Sequence, residues 1–396
     1  MNNIGEEISM GIISSIYRGV IHIISDEFKA IFSDSGALLL IVFATMIYTV
    51  IYSVAYGSEV VRDVPIAVVD DDNTAMSRSL INGVEDGPDT RVSYEVESID
   101  RAKSLFYSGD IFGILYIPNG YEQSIIAGKQ ANVSLIVDGS HLLLYSHIMQ
   151  QGVEDALTTG AEIEVARLVS ESVDASTIPS LVEPVAYSSN TLYNPYMGYG
   201  SFVMPSILIV IIQQTMIIGM VLVAVRRREI GVYIAVNPII CVLSKILVYI
   251  IIYGVSLFFI LGIIWPIFDF PNIGNIEDIA LLLLIYIVCV TSLGLALSPL
   301  FKRRESPLML LLWSSVPVLL VAGVSYPYEA IPDWIYALGR ILPSSSAVNA
   351  FIELNSMGAH LSEVHTELTT LAILVIVYLL CAIIAEYIVG KCKNMV

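Results

Sequence analysis

Asp70, Asp71, Asp72 and Asn73 put four oxygen-bearing side chains in a row, the chemistry of a calcium loop. An EF-hand needs ligands at alternate positions, a glycine at its sharp turn and a distant glutamate, and the run lacks this pattern. It reads instead as a turn, with Asn73 capping the helix that follows. His141 and His147 are six residues apart, and His360 and His365 five. A helix brings two imidazoles to one metal at i,i+4, so neither pair fits. Gly139-Ser140-His141 is not the G-x-S-x-G elbow that exposes a nucleophilic serine. Gly128-Lys129 lacks the upstream glycine and the following hydroxyl of a phosphate-cradling G-x-x-x-x-G-K-[ST] loop. No catalytic residue, metal site or cofactor site is therefore expected in this chain. If ATP drives it, ATP and magnesium sit on another polypeptide.

Polar groups inside apolar runs pose a different kind of chemistry. Gln213 and Gln214 fall near the middle of the run that starts at Phe202. An amide in hydrocarbon must find a partner, so these two either bond a neighbouring helix or line a substrate route. Lys245 lies two turns into the next run, close enough to its end to snorkel or to pair. Glu386, five residues before Lys391, reads as an end-of-helix carboxylate paired with a base. The run from Phe202 closes on Arg226, Arg227, Arg228 and Glu229, followed by Gly231 and Pro238. Such arginines set membrane orientation and bind anionic lipid heads, and they also offer a foothold for a partner. Tyr326, Tyr328 and Trp334, with Pro327 and Pro332, suit a membrane interface.

These residues need helices to hold them. The chain is 56% hydrophobic and only 14% charged, with a mean hydropathy of +0.76, outside the range of ordinary soluble domains. Some twenty apolar residues at 1.5 Å each span the roughly 30 Å hydrocarbon core. The expected fold is an α-helical membrane protein with six transmembrane helices. The first is at 37–56, and five more fall within 201–396, at about 201–225, 239–264, 279–297, 307–324 and 368–389. Basic clusters at Arg226–Arg228, Lys302–Arg304 and Lys391/Lys393 then share one side, which makes both termini cytoplasmic. Residues 1–36 read as an amphipathic helix in the inner interface. Ile12, Ile13, Ile16, Val20, Ile23, Ile24 and Ile31 lie on one face, and Glu27 intrudes on it. Residues 57–200 form an inserted extracytoplasmic α/β domain between the first two helices. Strand-like runs at 65–69, 91–96, 111–117 and 133–137 alternate there with helical stretches at 74–84, 99–107 and about 140–172. This segment holds 21 acidic and 7 basic residues, net −14 of the chain's −18, which argues against a nucleic-acid partner. All four cysteines lie in or beside apolar runs, so no disulfide framework holds the inserted domain.

Several segments resemble the ABC-2 type export permeases: DEFKAIFSDSGALLLIVF at 26–43, VPIAVVDDDNTAMSRSLI at 64–81, FGILYIPNGYEQSIIAG at 112–128 and VSLIVDGS at 133–140. YNP at 193–195, VMPSILIVIIQQTMIIG at 203–219 and LPSSSAVNAFIELNSMGA at 342–359 extend the likeness in the same order. The resemblance implies an interfacial helix, one span, an external α/β domain and five further spans in the cytoplasmic (inner) membrane. It implies a separate ATPase subunit and a second permease chain. A periplasmic membrane-fusion adaptor with an outer-membrane channel is a further partner, and short re-entrant helices near Tyr326, Tyr328 and Trp334 would close an outer gate. The coupling turn of that family reads R-E-x-G-T-x-E before a proline. Here Arg228-Glu229-Ile230-Gly231 and Pro238 match, and the threonine and second glutamate are absent. The implied activity is export of a drug, lipid or other amphiphile. The alternative is a membrane-anchored receptor or scaffold whose acidic domain binds a ligand without transport.

Overall fold

The computed structural model describes residues 19–185, 191–195, 197–231, 237–323, 326 and 330–393. Two compact units emerge, one built from Met1–Glu59 with Thr191–Val396 and the other from Val60–Asn190.

The first unit is helical. After α1 (residues 19–32) come α2 (Ser35–Tyr56), α3 (Tyr199–Ile230), α4 (Pro238–Ile267) and α5 (Ile276–Leu300). They are followed by α6 (Glu305–Val321), α7 (Asp333–Gly339), α8 (Pro343–Phe351) and α9 (His365–Lys393). Among the described residues, α2, α3, α4, α5 and α9 are each long and apolar enough to cross a membrane. The segment expected as a span at 307–324 forms α6, whose 17 residues reach only about 25 Å. The expected interfacial helix is described from residue 19 onward, and residues 1–18 lie outside the described residues. In α1, Ile23, Glu27 and Ile31 form the buried stripe at i, i+4, i+8.

Helix α3 is the hub. It packs against α2, α5, α6 and α8, and nearly every side chain from Val203 to Val225 is buried. Glycines permit the close approaches: a Cβ on Gly219 would lie 2.3 Å from Ile41 Cγ1 of α2, and one on Gly294 of α5 would lie 3.0 Å from Met220 Sδ. Without a hydrophobic drive between helices in lipid, such contacts and interhelical hydrogen bonds supply the association. Thr215 of α3 shares hydrogen bonds with Thr45 of α2 at 2.9 Å and with Tyr253 of α4 at 3.1 Å. The Tyr286 hydroxyl of α5 donates to the Ile209 carbonyl at 2.7 Å. At the start of α3, the Glu59 carboxylate accepts from the Ser201 N–H at 3.1 Å and its hydroxyl at 3.0 Å. It caps a helix whose own N-cap, Gly198, has no side chain to do so.

The second unit is an α/β sandwich around a four-stranded sheet in the order β2-β1-β3-β4. The strands are β1 (Val64–Asp70), β2 (Thr90–Glu95), β3 (Gly113–Ile117) and β4 (Ser134–Val137). β1 runs parallel to β2 and β3, and β4 closes one edge antiparallel. Period-two alternation along β1 feeds two cores. Val64, Ile66 and Val68 meet Leu80, Val84 and Ile148 from the helices Ala75–Asp86 and Leu142–Ser170. Ala67 and Val69 meet Ala102 and Leu105 from Ile99–Ser108 on the other face.

The acidic run after β1 does its work inside this unit. The expected cap, Asn73, instead takes a left-handed conformation at φ 50°. Thr74 caps Ala75–Asp86, accepting from Ser77 N while the Ser77 hydroxyl accepts from Thr74 N, a reciprocal capping box. The Asp72 carboxylate accepts from the backbone of Gly120, Tyr121 and Glu122 at 2.7, 3.1 and 2.9 Å. Desolvation opposes its charge, but these bonds and the Thr74 hydroxyl outweigh it and hold Asp72 below the usual carboxylate range.

Candidate functional site

Arg226, Arg227 and Arg228 occupy the last turn of α3, where cations complement the helix dipole. Gly231 ends the helix in the left-handed conformation, φ 73°, that a side chain there would strain, and its N–H bonds back to the Arg228 carbonyl at 3.2 Å. Pro238 opens α4 at the first position, where its missing N–H costs nothing, and the Asn237 side chain caps the turn. Residues 232–236 of the expected coupling turn lie outside the described residues.

The three arginines point inward. Arg227 pairs with the buried Glu27 of α1 at 2.9 Å, and Glu27 also accepts from the Tyr249 hydroxyl of α4 at 3.2 Å. Arg226 pairs with the buried Asp34 at 3.3 Å, and Arg304, ahead of α6, pairs with the same carboxylate. Asp34 is in addition the N-cap of α2, accepting from Gly36 N at 3.0 Å and Ala37 N at 3.3 Å. Arg228 donates to the Ser298 carbonyl at the end of α5 at 2.5 Å. Two buried carboxylates thus knot α1, α2, α3, α4 and the α5–α6 junction together. What remains exposed at this end of α3 is Glu229, Ile230 and Gly231, with Lys302 and Arg303 exposed on the α5–α6 connection.

Sequence reasoning named the arginines but not Glu27 and Asp34 as their partners. The signal was present: an acid on an otherwise apolar helical face must be paired to be buried.

Gln213 and Gln214 separate. Gln213 is buried, and its amide oxygen accepts from Ser344 N at 2.9 Å. Ser344 stands in the first turn of α8, whose N-cap Leu342 offers no side-chain acceptor, so α3 supplies the missing cap. Gln214 lies around the helix and is half-buried. Lys245 of α4 forms an ion pair with Glu386 of α9. Tyr326 and Trp334 are exposed, and Tyr328 lies outside the described residues.

A bundle in which five helices among the described residues are long and apolar enough to cross a membrane, with arginines paired to buried carboxylates at the end of α3, defines a membrane-embedded protein. The family model described as ABC-2 family transporter protein matches residues 36–384, and the chain belongs to that family. It is similar to the inner membrane transport permease YhhJ of Escherichia coli (strain K12), 22% identical over 370 residues, covering 89% of this chain and 93% of that protein. The Shigella flexneri YhhJ matches to the same extent. It is also 30% identical over 129 residues to ABC transporter G family member 20 of Dictyostelium discoideum, 32% of this chain but only 16% of that protein. The chain is therefore a transport permease, of a family that implies an ATP-binding subunit as partner.

Proposed function

We propose that this chain is the membrane subunit of an ATP-driven exporter, moving a drug, lipid or other amphiphile outward across the cytoplasmic membrane. The observation that carries the reading is the exposed Glu229–Gly231 tip standing directly on the charged knot. A separate ATPase would grip that tip, and α3 would pass its displacement to every helix that shares Glu27 and Asp34. Both termini would face the cytoplasm with the basic end, the Val60–Asn190 unit would lie outside, and α6 would complete six spans. The chain would act as a dimer, homo- or heteromeric. α3 is thoroughly buried within the chain, so a second copy or lipid would cover exposed apolar residues on other helices, among them Phe43 and Ile51 of α2 and Leu312 and Trp313 of α6. The external unit would dock a periplasmic adaptor that leads to an outer-membrane channel. Gln213 would hold α8 beside the substrate path and Gln214 would face it, with Tyr326, Tyr328 and Trp334 near the outer gate.

The test is reconstitution with the co-purified ATPase. Glu229→Lys should leave folding and basal hydrolysis intact and lower ATP-dependent transport at least tenfold. Unchanged coupling removes the tip from the mechanism, and labelling of an introduced cysteine at Glu229 by an impermeant external reagent overturns the orientation.

A further inference from the structure

The second unit contains an apolar cavity of about 240 Å³ between its sheet and the helices Ala75–Asp86 and Leu142–Ser170. Ile66, Leu115, Leu135 and Ile148 form its inner wall. Thr90 brings a hydroxyl, and that hydroxyl is spent on the Val84 carbonyl at 2.9 Å. Nothing on this wall asks for water, and a dry apolar cavity of roughly 150 Å³ already takes up benzene. On the open side, Val153 and Leu157 line the cavity while staying 51% and 70% exposed. They are apolar surfaces that an occupant would cover.

This cavity shares Leu80, Val133 and Ala156 with a second recess of about 420 Å³. That recess is polar: Lys129, Gln130, Glu164 and Arg167 stand on it. Arg167 is held by Glu164 at 2.6 Å and by Glu171 at 3.8 Å. Lys129 is exposed and forms no ion pair among the described residues. The recess adjoining the apolar slot is thus lined by two of the seven cations in the segment 57–200, Arg167 with its charge met by glutamates and Lys129 without an ion pair among the described residues, in a segment of net charge −14. Elsewhere on such a surface an anion is repelled.

We propose that the α/β unit binds a single-chain amphiphile with an anionic head, its alkyl chain in the apolar slot and its head at Lys129. The arrangement stands on this unit alone and does not depend on the direction or the energy source of transport.

The experiment uses the full chain in lipid nanodiscs and two photoreactive probes, a diazirine-bearing dodecyl phosphate and the same chain with a phosphocholine head. Adducts are mapped by peptide mass spectrometry. The phosphate probe should label residues 133–135 and 149–157. Ala156→Leu, at an exposed position where the two recesses join, should abolish those adducts, and Lys129→Glu should reduce them about three- to tenfold. Labelling of the apolar helices should stay constant in both variants and so reports intact protein. Absence of adducts at 133–157, adducts that persist in Ala156→Leu, or equal labelling by the phosphocholine probe each overturns the proposal.

Discussion

Replacing Asp34 tests the charged knot most directly. Its carboxylate caps α2 and neutralises Arg226 and Arg304 from a buried position. Asp34→Asn keeps an acceptor for Gly36 N and Ala37 N, so the cap survives and the charge is lost. Stranding a fully buried partner costs 3–5 kcal/mol. Arg226 and Arg304 keep 31% and 39% of their side-chain surface in solvent, which screens the loss to about 2 kcal/mol. Asp34→Ala forfeits the cap as well and adds about 1 kcal/mol. Thermal retention of monodisperse protein in detergent, followed by size exclusion, should therefore rank wild type above Asn above Ala, a few degrees apart. Arg304→Gln in the Asp34→Asn background should cost less than the sum of the two single changes, because both remove one interaction. Strictly additive losses, or an Asn variant as stable as wild type, would refute the shared-carboxylate reasoning.

Three further outcomes follow from the geometry. Lys245→Met strands Glu386 and should cost about 3–5 kcal/mol, while Lys245→Met with Glu386→Leu should recover most of it; the same thermal assay decides. Gln213→Leu leaves Ser344 N without its acceptor, about 1–3 kcal/mol, and should speed hydrogen exchange in the first turn of α8 without touching α9. Hydrogen bonds from the Ser140 hydroxyl and N–H, then from His141, bring Asp138 down from 3.8 to about 2. A depressed carboxylate stabilises above its unfolded pKa and loses that contribution as pH falls through the folded one. Protection of the Ser140 amide, corrected for intrinsic exchange, should thus fall between about pH 4 and 2, and protection that persists below that window contradicts the assignment.

The apolar runs marked the membrane helices because length and composition are local properties, and strand alternation marked the sheet for the same reason. Bounds moved where side chains compete for one role. Thr74 displaced Asn73 as cap because only Thr74 reaches a reciprocal partner, Ser77. The fifth expected span shortened to 17 residues in α6, which carries Pro317 inside it and is followed by Gly323 at φ 79°. The candidate site was legible only by halves. The arginines announce themselves at the end of an apolar run, whereas Asp34 and Arg304 stand 270 positions apart and Gln213 and Ser344 stand 131 apart. Spacing along a chain says nothing about such pairs; only the packing of α3 against its neighbours brings them together.

That packing would limit how the proposed exporter moves. A push on Glu229–Gly231 would displace α3, and Glu27 and Asp34 would oblige α1, α2 and the α5–α6 junction to follow or to leave buried charges unpaired. Helix α9 is outside the knot. It rests along α5 and holds α4 through Lys245–Glu386, while Ile376, Leu380 and Ile384 remain exposed. Buried ion pairs have steep costs of separation and gain little from small displacements. Separation would therefore be costly at the knot and at the Lys245–Glu386 pair alike, and the apolar, non-directional α5–α9 contacts would yield only where that pair is kept. In the proposed exporter the knot would then serve as a rigid lever.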